Sequence, residues 1–358
     1  MQKSGFSDLL AAPKMGFSAL MDDIQTAQSG QAKPGSGSSI LIIEPKVTPD
    51  SPRTPLNRDF WESLGRKGEL VRRSRAFGEY LSKVDPERAE KLNQCGGWLL
   101  FRDYAALDVT KLAGGLFCQQ RYLCPFCAAR VSARRSTEVY EAVEHLLKDH
   151  RQLGAYMVTL TMRSMDDRRE MVTKFWDAWS RLLKHRRKAK QGKSASMMGL
   201  VEGGFMSGEA KLGKGGEPHY HGHGIFLADR KMRYKPVWQR LVREWAKLVG
   251  QNHASVQFQP VVGLAGGVRE ATKYAVKFSD NDFQDRIEWD RAIKGNKNTF
   301  SKFGLMRGLK ISNEVTDSLE GLEFETFVDR LFSFNGMNFQ EVAPPEREPA
   351  FDAWNEGA

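Results

Sequence analysis

The 358-residue sequence lacks any apolar run close to the roughly 18 residues that a membrane-spanning helix needs. Its first 20 residues also lack the continuous apolar stretch of a signal peptide, and the acidic Asp8 appears early. These two absences argue against a transmembrane or secreted protein. We therefore expect a cytoplasmic protein with no membrane partner.

Cysteine is scarce, because the chain has only Cys95, Cys118, Cys124 and Cys127. In the reducing cytoplasm, cysteines are thiols or metal ligands more often than disulfides. The spacing C-x22-C-x5-C-x2-C, with Pro125 inside the last pair, is typical of a closed tetrahedral zinc site. We predict a structural Zn²⁺ that stabilises the segment before the first strand of the next domain. The alternative is four buried thiols without a metal.

Negative charge is in the minority, since 54 Lys and Arg stand against 44 Asp and Glu, a net charge of +10. This excess favours an anionic partner, most often nucleic acid, although it also suits a solubilising surface. The densest basic run is RLLKHRRKAKQGK at 181–193, and four arginines surround the cysteines. The residues that we predict to contact DNA phosphates are Arg121, Arg130, Arg134, Arg135, Arg186, Arg187 and Lys188.

Composition divides the chain into five parts. Residues 1–55 end in a stretch rich in Gly, Pro, Ser and Thr and are predicted to be disordered. The other parts are a basic helical region (56–150) with the cysteine segment (95–135), a domain of strands and helices (151–280), a C-terminal accessory region (281–345) and a loose tail (346–358).

Periodicity predicts the elements of the central domain. Strands are predicted at 155–162, 197–206, 219–228 and 255–263, and helices at 168–190, 236–250 and 267–278. The Gly-rich stretch 207–218 is predicted to be a hairpin connection. The order β-α-β-β-α-β-α indicates an α+β fold, an antiparallel sheet with helices on one face. In that topology the first and third strands are central.

Three histidines alternate along the third predicted strand. Side chains two residues apart on a strand share a face, so His219, His221 and His223 project together. Converging neutral imidazoles suit Mn²⁺, Zn²⁺, Co²⁺ or Ni²⁺, or Mg²⁺ when carboxylate and phosphate complete its shell. Glu202, on the preceding strand, is the predicted additional ligand. The alternative is a polar sheet face that binds no metal.

The last predicted helix carries Glu270, Tyr274 and Lys277 on one stripe, at i, i+4 and i+7. A phenol attacks poorly unless its phenolate is stabilised, as a nearby lysine and a divalent cation would do. Glu270 would act as a general base. Alone, the stripe is more typical of an amphipathic surface helix with an ordinary Glu-Lys face; the upstream histidines favour the catalytic interpretation.

These motifs resemble those of a known family. PHYH (218–221) resembles the His-hydrophobic-His motif of HUH endonucleases, and KYAVK (273–277) resembles their Tyr-x-x-Lys motif. YMVTLT (156–161) is similar to the first-strand motif of plasmid rolling-circle replication initiators. CGGWLLF (95–101) and FCQQRYLCPFCAARVSARR (117–135) are similar to the cysteine segment of the same Rep family.

The resemblance, over roughly 90–310, implies an enzyme that nicks one strand at a plasmid origin to start rolling-circle replication and later re-closes it. It implies that Tyr274 forms a 5′-phosphotyrosine and frees a 3′-hydroxyl, that Lys277 steadies the phosphate and that Glu270 serves the terminating cleavage. His219 and His221, which follow the proline, would hold Mg²⁺ or Mn²⁺. The implied partners are origin DNA, single-stranded or cruciform, and the host helicase and replication machinery.

Other interpretations stay open. Glu217 stands where the family has its first histidine, so the metal pair could instead be His221 and His223. A relaxase or transposase would share the chemistry, but the cysteine segment favours the replication branch. A histidine-triad nucleotide hydrolase or transferase also carries His-x-His-x-His, although the glycines at 222 and 224 depart from its pattern. A non-catalytic zinc-stabilised DNA-binding protein would bind the origin without cleaving it.

Overall fold

The computed structural model of the protein describes residues 56–213, 215–272, 283–294, 299–312 and 314–342. The predicted disordered segment 1–55 and the loose tail 346–358 lie outside these ranges. Its helices are α1 (Arg58–Leu81), α2 (Pro86–Gln94), α3 (Pro125–Asp149), α4 (Arg168–Lys190), α5 (Tyr234–Val249), α6 (Leu264–Ala271) and α7 (Phe283–Lys294). Its strands are β1 (Trp98–Tyr104), β2 (Val109–Gly115), β3 (Leu153–Thr161), β4 (Val201–Leu212), β5 (Pro218–Asp229), β6 (Val256–Pro260), β7 (Phe300–Gly304), β8 (Val328–Phe334) and β9 (Phe339–Val342). No helix within these ranges is long and apolar enough to cross a bilayer.

The main sheet has the order β6-β3-β5-β4-β7, and every neighbouring pair is antiparallel. The predicted α+β class with an antiparallel sheet is confirmed. Within β6-β3-β5-β4 the inner strands are β3 and β5, as the topology predicts, and β7 adds an edge next to β4. The histidine strand, β5, is therefore hydrogen-bonded on both sides.

Helices α4 and α5 cover one face of this sheet. Aromatic side chains of α4 and α5, among them Phe175 and Trp245, pack against Tyr220 and Phe226 of β5. Burial of each such side chain contributes about 1.5–3 kcal/mol. Gly222 lies on this face, where a Cβ would stand 2.5 Å from the Phe175 ring. Packing therefore requires a glycine at this position.

The opposite face, which carries the histidines, is partly covered as well. Val143 of α3 and Val268 of α6 are buried in a cluster with Ile225 and Leu227 of β5. Helices therefore lie on both faces, and the expectation of helices on one face alone is corrected. The reason is that α3 is long enough to reach from the cysteine segment across the sheet.

A second sheet combines distant parts of the chain in the order β2-β1-β8-β9. Leu99 of β1 pairs with Phe332 of β8, and both side chains are buried with those of α1 and α2. The predicted accessory region 281–345 is thus divided between the two sheets. Strands β8 and β9 complete the second sheet, whereas β7 belongs to the main sheet. Local periodicity does not reveal pairing between segments this far apart.

Helix α7 connects α4, which packs on the main sheet, with α2, which packs on the second sheet, through buried acidic side chains. Asp285 accepts a hydrogen bond of 2.5 Å from Arg168 of α4, and Asp290 accepts one of 2.8 Å from Arg88 of α2. Arg88 also donates to Gln120, between two of the cysteines, at 2.9 Å. A buried carboxylate is tolerated only when it is paired, so these ion pairs fix α7 against both α4 and α2.

Replacing Arg88 with Met tests this connection. The side chain of Asp290 is only 5% exposed, so loss of its partner should lower the free energy of unfolding by about 3–5 kcal/mol, measured by urea denaturation. Adding Asp290→Asn should restore part of the loss. Lys91→Met, which breaks the exposed pair with Glu87 on the same helix, should change it by less than about 1 kcal/mol. Equal effects of the two single substitutions would contradict the prediction.

Candidate active site

Strand register brings one carboxylate to the histidines. Glu209 of β4 pairs directly with His221 of β5, and Thr159 of β3 pairs with His223. The Glu209 Oε2 atom lies 3.2 Å from His223 Nε2 and 3.6 Å from His221 Nε2. One potential ligand atom from each of Glu209, His221 and His223 lies within 4.8 Å of the others. The three side chains form what we call the Glu-His-His cluster.

The electrostatics of the cluster favour a cation. Burial tends to raise the pKa of the Glu209 carboxyl, but hydrogen bonds to His221 and His223 outweigh it and hold that pKa well below its usual range. Burial lowers the pKa of His221, although Glu209 opposes the shift. At neutral pH the cluster therefore combines an ionised carboxylate with a neutral His221 imidazole, the protonation states that metal ligands require.

The hydrogen bonds also suit a metal. Thr159 Oγ1 lies 3.0 Å from His223 Nδ1, and when it accepts the Nδ1 proton the Nε2 lone pair is left for a cation. His221 Nδ1 is buried without a hydrogen-bond partner in the described part of the chain, an arrangement that costs about 1–3 kcal/mol unless something binds it. Three protein ligands with nitrogen and oxygen donors are typical of a catalytic divalent metal site.

Glu202 does not join the cluster. Its carboxylate accepts a hydrogen bond of 2.6 Å from Lys190, and it lies at a bulge of β4 near the other end of β5, where Val201 pairs with Ala228. Seven residues of extended strand, about 23 Å, separate it from Glu209. The carboxylate that the structure brings to the histidines is therefore Glu209 and not the predicted Glu202.

Glu209 lies close to His221 and His223, whereas the position of Pro218 in the sequence favours His219 and His221 as the metal ligands. His219 pairs across the hairpin with Lys211, whose positive charge disfavours a nearby cation. Burial and then the charges of His221 and Lys211 lower the pKa of His219 to about 4. Its ring centroid lies 5.2 Å from that of His221, so it stands beside the Glu-His-His cluster.

Glu209 was missed because 207–218 was interpreted as a connection. The strand β4 instead continues to Leu212, and β5 begins at Pro218. A signal was present: if the turn is centred on the glycines at 213, 215 and 216, counting outward along both strands places Glu209 opposite His221. A Gly-rich sequence shows where a hairpin is but not where its strands end.

The proposed catalytic tyrosine motif falls at the edge of the described chain. Tyr274 and Lys277 lie outside the described residues. Glu270 is an exposed residue of α6, which packs on the face of β5 that carries the histidines. Ser132 of α3 donates a 2.8 Å hydrogen bond to the Thr272 carbonyl. The chain is therefore fixed on this face two residues before Tyr274.

The four cysteines converge as the spacing predicts. Sγ–Sγ distances are 3.5 Å for Cys95–Cys127, 3.5 Å for Cys95–Cys124 and 3.7 Å for Cys118–Cys127. Tetrahedral zinc with bonds of about 2.3 Å requires about 3.8 Å between sulfurs, so the four thiols fit this ion. Cys124 caps the N-terminus of α3, where its Sγ accepts the backbone N–H of Cys127.

Helix α3 favours a thiolate at Cys124. Burial raises its pKa, but hydrogen bonds from the other three thiols and from the Cys127 backbone lower it well below its ordinary value. A helix N-terminus stabilises a thiolate in the same way. The Ser74 hydroxyl, 3.2 Å from Cys124 Sγ, adds a further polar contact.

Several arginines predicted to contact DNA are engaged within the protein. Arg130 pairs with Asp317, Arg134 pairs with Glu138 and Glu314, and Arg186 donates to the carbonyls of Val201 and Glu202. Arg135 is buried over the ring of Phe300, and Arg121 donates to the Tyr122 hydroxyl. Arg187 and Lys188 are exposed, so they are the two of this set whose charges face solvent.

Comparison with known proteins gives one match. A family model described as "Replication protein" matches residues 109–304. This range contains three of the four cysteines, the whole main sheet, the Glu-His-His cluster and the Tyr274 motif. No curated protein and no solved structure gives a significant match.

If the Glu-His-His cluster binds a metal, substitutions of the two glutamates of β4 should differ clearly in their effect on the affinity for that metal. Glu209→Gln should weaken Mn²⁺ binding at least about tenfold, measured by titration calorimetry, because it removes the only negative charge of the cluster. Glu202→Gln should leave the affinity unchanged, since its carboxylate pairs with Lys190. A loss of affinity in Glu202→Gln alone would contradict this assignment.

The cysteine cluster predicts one bound zinc ion per chain. Cys127→Ser should abolish zinc binding, measured by atomic absorption, and remove the stabilisation that zinc provides, about 4 kcal/mol when free zinc exceeds its Kd about 1,000-fold. Ser74→Ala, which alters a neighbour of Cys124 and no thiol, is the control and should retain the zinc. A wild-type protein purified with zinc present but free of the ion would refute the site.

Proposed function

The chain belongs to the replication-protein family that initiates plasmid rolling-circle replication, and we propose that it nicks one strand of the origin by tyrosine transesterification. Membership of the family carries the coarser function, a plasmid replication initiator that binds origin DNA. The nucleophile, the metal and the re-closing of the strand are our proposal.

The observation that supports the proposal most is the position of the Glu-His-His cluster. It lies on the central strand β5, and the helix that leads to Tyr274 packs on the same face of that strand. A hydrogen bond from Ser132 holds Thr272 on this face, and Thr272 lies two residues before Tyr274 in the sequence. This chemistry needs a ligand set for a divalent cation and a nucleophilic tyrosine, and the described chain that precedes Tyr274 lies on the face that carries the ligand set.

In the proposed reaction the Tyr274 oxygen attacks the scissile phosphorus and gives up its proton. A bond forms between phosphorus and the tyrosine oxygen, and the bond from phosphorus to the 3′ oxygen breaks. The 3′ oxygen takes a proton and becomes the hydroxyl that primes synthesis. The number of phosphoester bonds is unchanged, so a later 3′-hydroxyl can attack the phosphotyrosine and re-close the strand without ATP.

The described residues would prepare this step. Glu209, His221 and His223 would hold a divalent cation, which supplies Lewis-acid stabilisation of charge on the phosphate oxygens. Thr159 keeps the His223 ring in orientation through its 3.0 Å contact. Lys277 would stabilise the phenolate, and Glu270, one turn before Tyr274, would act as the base in the terminating cleavage. The strand must be single or extruded, because a duplex hides its backbone from such a face.

The burial of the histidines bears on the histidine-triad alternative. The side chains of His221 and His223 are 5% and 13% exposed, and both face Glu209. An imidazole that must attack phosphorus needs an accessible nitrogen aimed at the substrate. These two are better placed as ligands, so the nucleophile is sought outside the histidine strand.

Cleavage of a single-stranded oligonucleotide that carries the nick site of the cognate plasmid tests the proposal. Wild type with Mn²⁺ should give a protein adduct on the 5′ end, seen on a denaturing gel as a shifted band that protease removes. Tyr274→Phe should lower cleavage by at least about 1,000-fold, because it removes the only attacking oxygen. Tyr234→Phe, at the start of α5 on the other sheet face, should cleave normally.

Each other outcome points to a different protein. Cleavage retained by Tyr274→Phe would assign the nucleophile elsewhere and favour a histidine. Cleavage without an adduct would indicate hydrolysis by water. Origin binding with no cleavage in any divalent metal would leave a DNA-binding protein without this enzyme activity.

A further inference from the structure

Positive charge is concentrated on the helices that cover the face opposite the histidines. Residues 178–190, the second half of α4, contain six Lys and Arg and no Asp or Glu. The neighbouring helix α5 carries Lys235, Arg240, Arg243 and Lys247 against one acidic residue, Glu244. The outer side of this layer therefore accounts for a large part of the net charge of +10.

The two helices form one continuous surface. Arg181 of α4 donates to the Leu248 carbonyl at the end of α5, and one turn later His185 Nδ1 lies 2.8 Å from Glu244 Oε1. Glu244 also accepts a 2.8 Å hydrogen bond from Ser196. The helices thus run antiparallel, and the single acidic residue of α5 is already engaged in internal hydrogen bonds.

Along the second halves of α4 and α5, five exposed cations form neither a salt bridge nor a hydrogen bond with the described part of the chain. Lys184, Arg187 and Lys188 of α4 and Arg243 and Lys247 of α5 are exposed, and none forms a salt bridge within the described ranges. We call these five residues the basic surface. On α1, which carries six Lys and Arg and four Asp and Glu, three exposed arginines instead pair with glutamates, as Arg58 does with Glu62. Cations without an acidic partner leave a positive electrostatic potential that attracts an anionic partner.

The shape of the basic surface distinguishes between nucleic-acid partners. Three of its cations, Lys184, Arg187 and Lys188, line one shallow depression along α4 together with Arg181 and His185. The run 181–193 contains no Phe, Trp or Tyr, whereas single strands are bound by stacking on aromatic side chains. The helical part of this run, residues 181–190, is about 15 Å long, and duplex DNA presents about nine phosphate charges along that length.

We propose that the basic surface binds the phosphate backbone of duplex DNA next to the nick site. It rests on the proposed function, to which it adds a second DNA contact on the other side of the sheet from the Glu-His-His cluster. The single strand to be cleaved and the flanking duplex would then occupy opposite faces. Arg186, next to Arg187 in sequence, takes no part because it is bound to the β4 carbonyls.

The test measures duplex binding of the full chain separately from cleavage. The variant carries Lys184→Gln, Arg187→Gln, Lys188→Gln, Arg243→Gln and Lys247→Gln, all at exposed positions. Fluorescence anisotropy with a duplex of about 30 base pairs of arbitrary sequence gives log K as a function of log salt. Each lost phosphate contact should reduce the magnitude of the slope by about 0.9, so the variant should lose up to about 4.5.

A matched control removes as much charge elsewhere. It carries Gln at five exposed positions away from α4 and α5: Arg66, Lys83, Lys91, Arg73 and Lys148. We expect the control to keep nearly the whole slope. The control should cleave the single-stranded oligonucleotide at the wild-type rate, and thermal unfolding followed by circular dichroism should show that both proteins are folded.

The outcomes separate this inference from the proposed function. An unchanged salt slope in the basic-surface variant, or an equal loss in the control, would overturn the inference even if cleavage is intact. Equal weakening of single-strand and duplex binding would also overturn it, since the surface would then be a general polyanion site. Failure of the wild type to cleave at all would instead refute the proposed chemistry, and the duplex measurement would still decide the basic surface.

Discussion

The antiparallel pairing of β4 with β5 is the constraint on which the candidate site depends. It places Glu209 opposite His221 and next to His223, and a shift of one residue would turn the histidines to the face that α4 and α5 fill. Packing helps to hold this register. Phe175 occupies the space beside Gly222, and the Tyr220 hydroxyl accepts a 2.9 Å hydrogen bond from Trp176. The aromatic core on one face thus fixes the chemistry of the other.

The cysteine segment is connected to the same arrangement through α3 and through the contacts of Gln120. The four thiols form a compact cluster where α3 begins, and α3 then extends to the histidine face of the main sheet, where Ser132 holds the end of α6. Between the cysteines, Gln120 contacts Arg88, which pairs with Asp290 of α7. A zinc ion in this cluster would therefore stabilise the chain on both sides of the segment that carries Tyr274.

The two faces of the main sheet carry opposite electrostatics. On one side a buried carboxylate accompanies the neutral imidazole of His221, an arrangement suited to a small cation and one phosphate. On the other side exposed cations form a wide surface suited to many phosphates. The proposed reaction requires a held duplex and one accessible strand, and a single sheet with two different faces would meet both needs.

Local pattern was sufficient for features that depend on spacing along the chain. The alternating histidines, the cysteine spacing, α4 over 168–190 and the α+β class follow from periodicity and ligand chemistry, and the structure contains them. Tertiary structure alone decided which partners meet. Glu209 rather than Glu202 reaches the histidines because strand ends and register are set by the whole sheet, and Arg130, Arg134 and Arg186 find internal partners brought from distant segments. A sequence states which groups are available, and the long-range pairing of strands and helices determines which of them become neighbours.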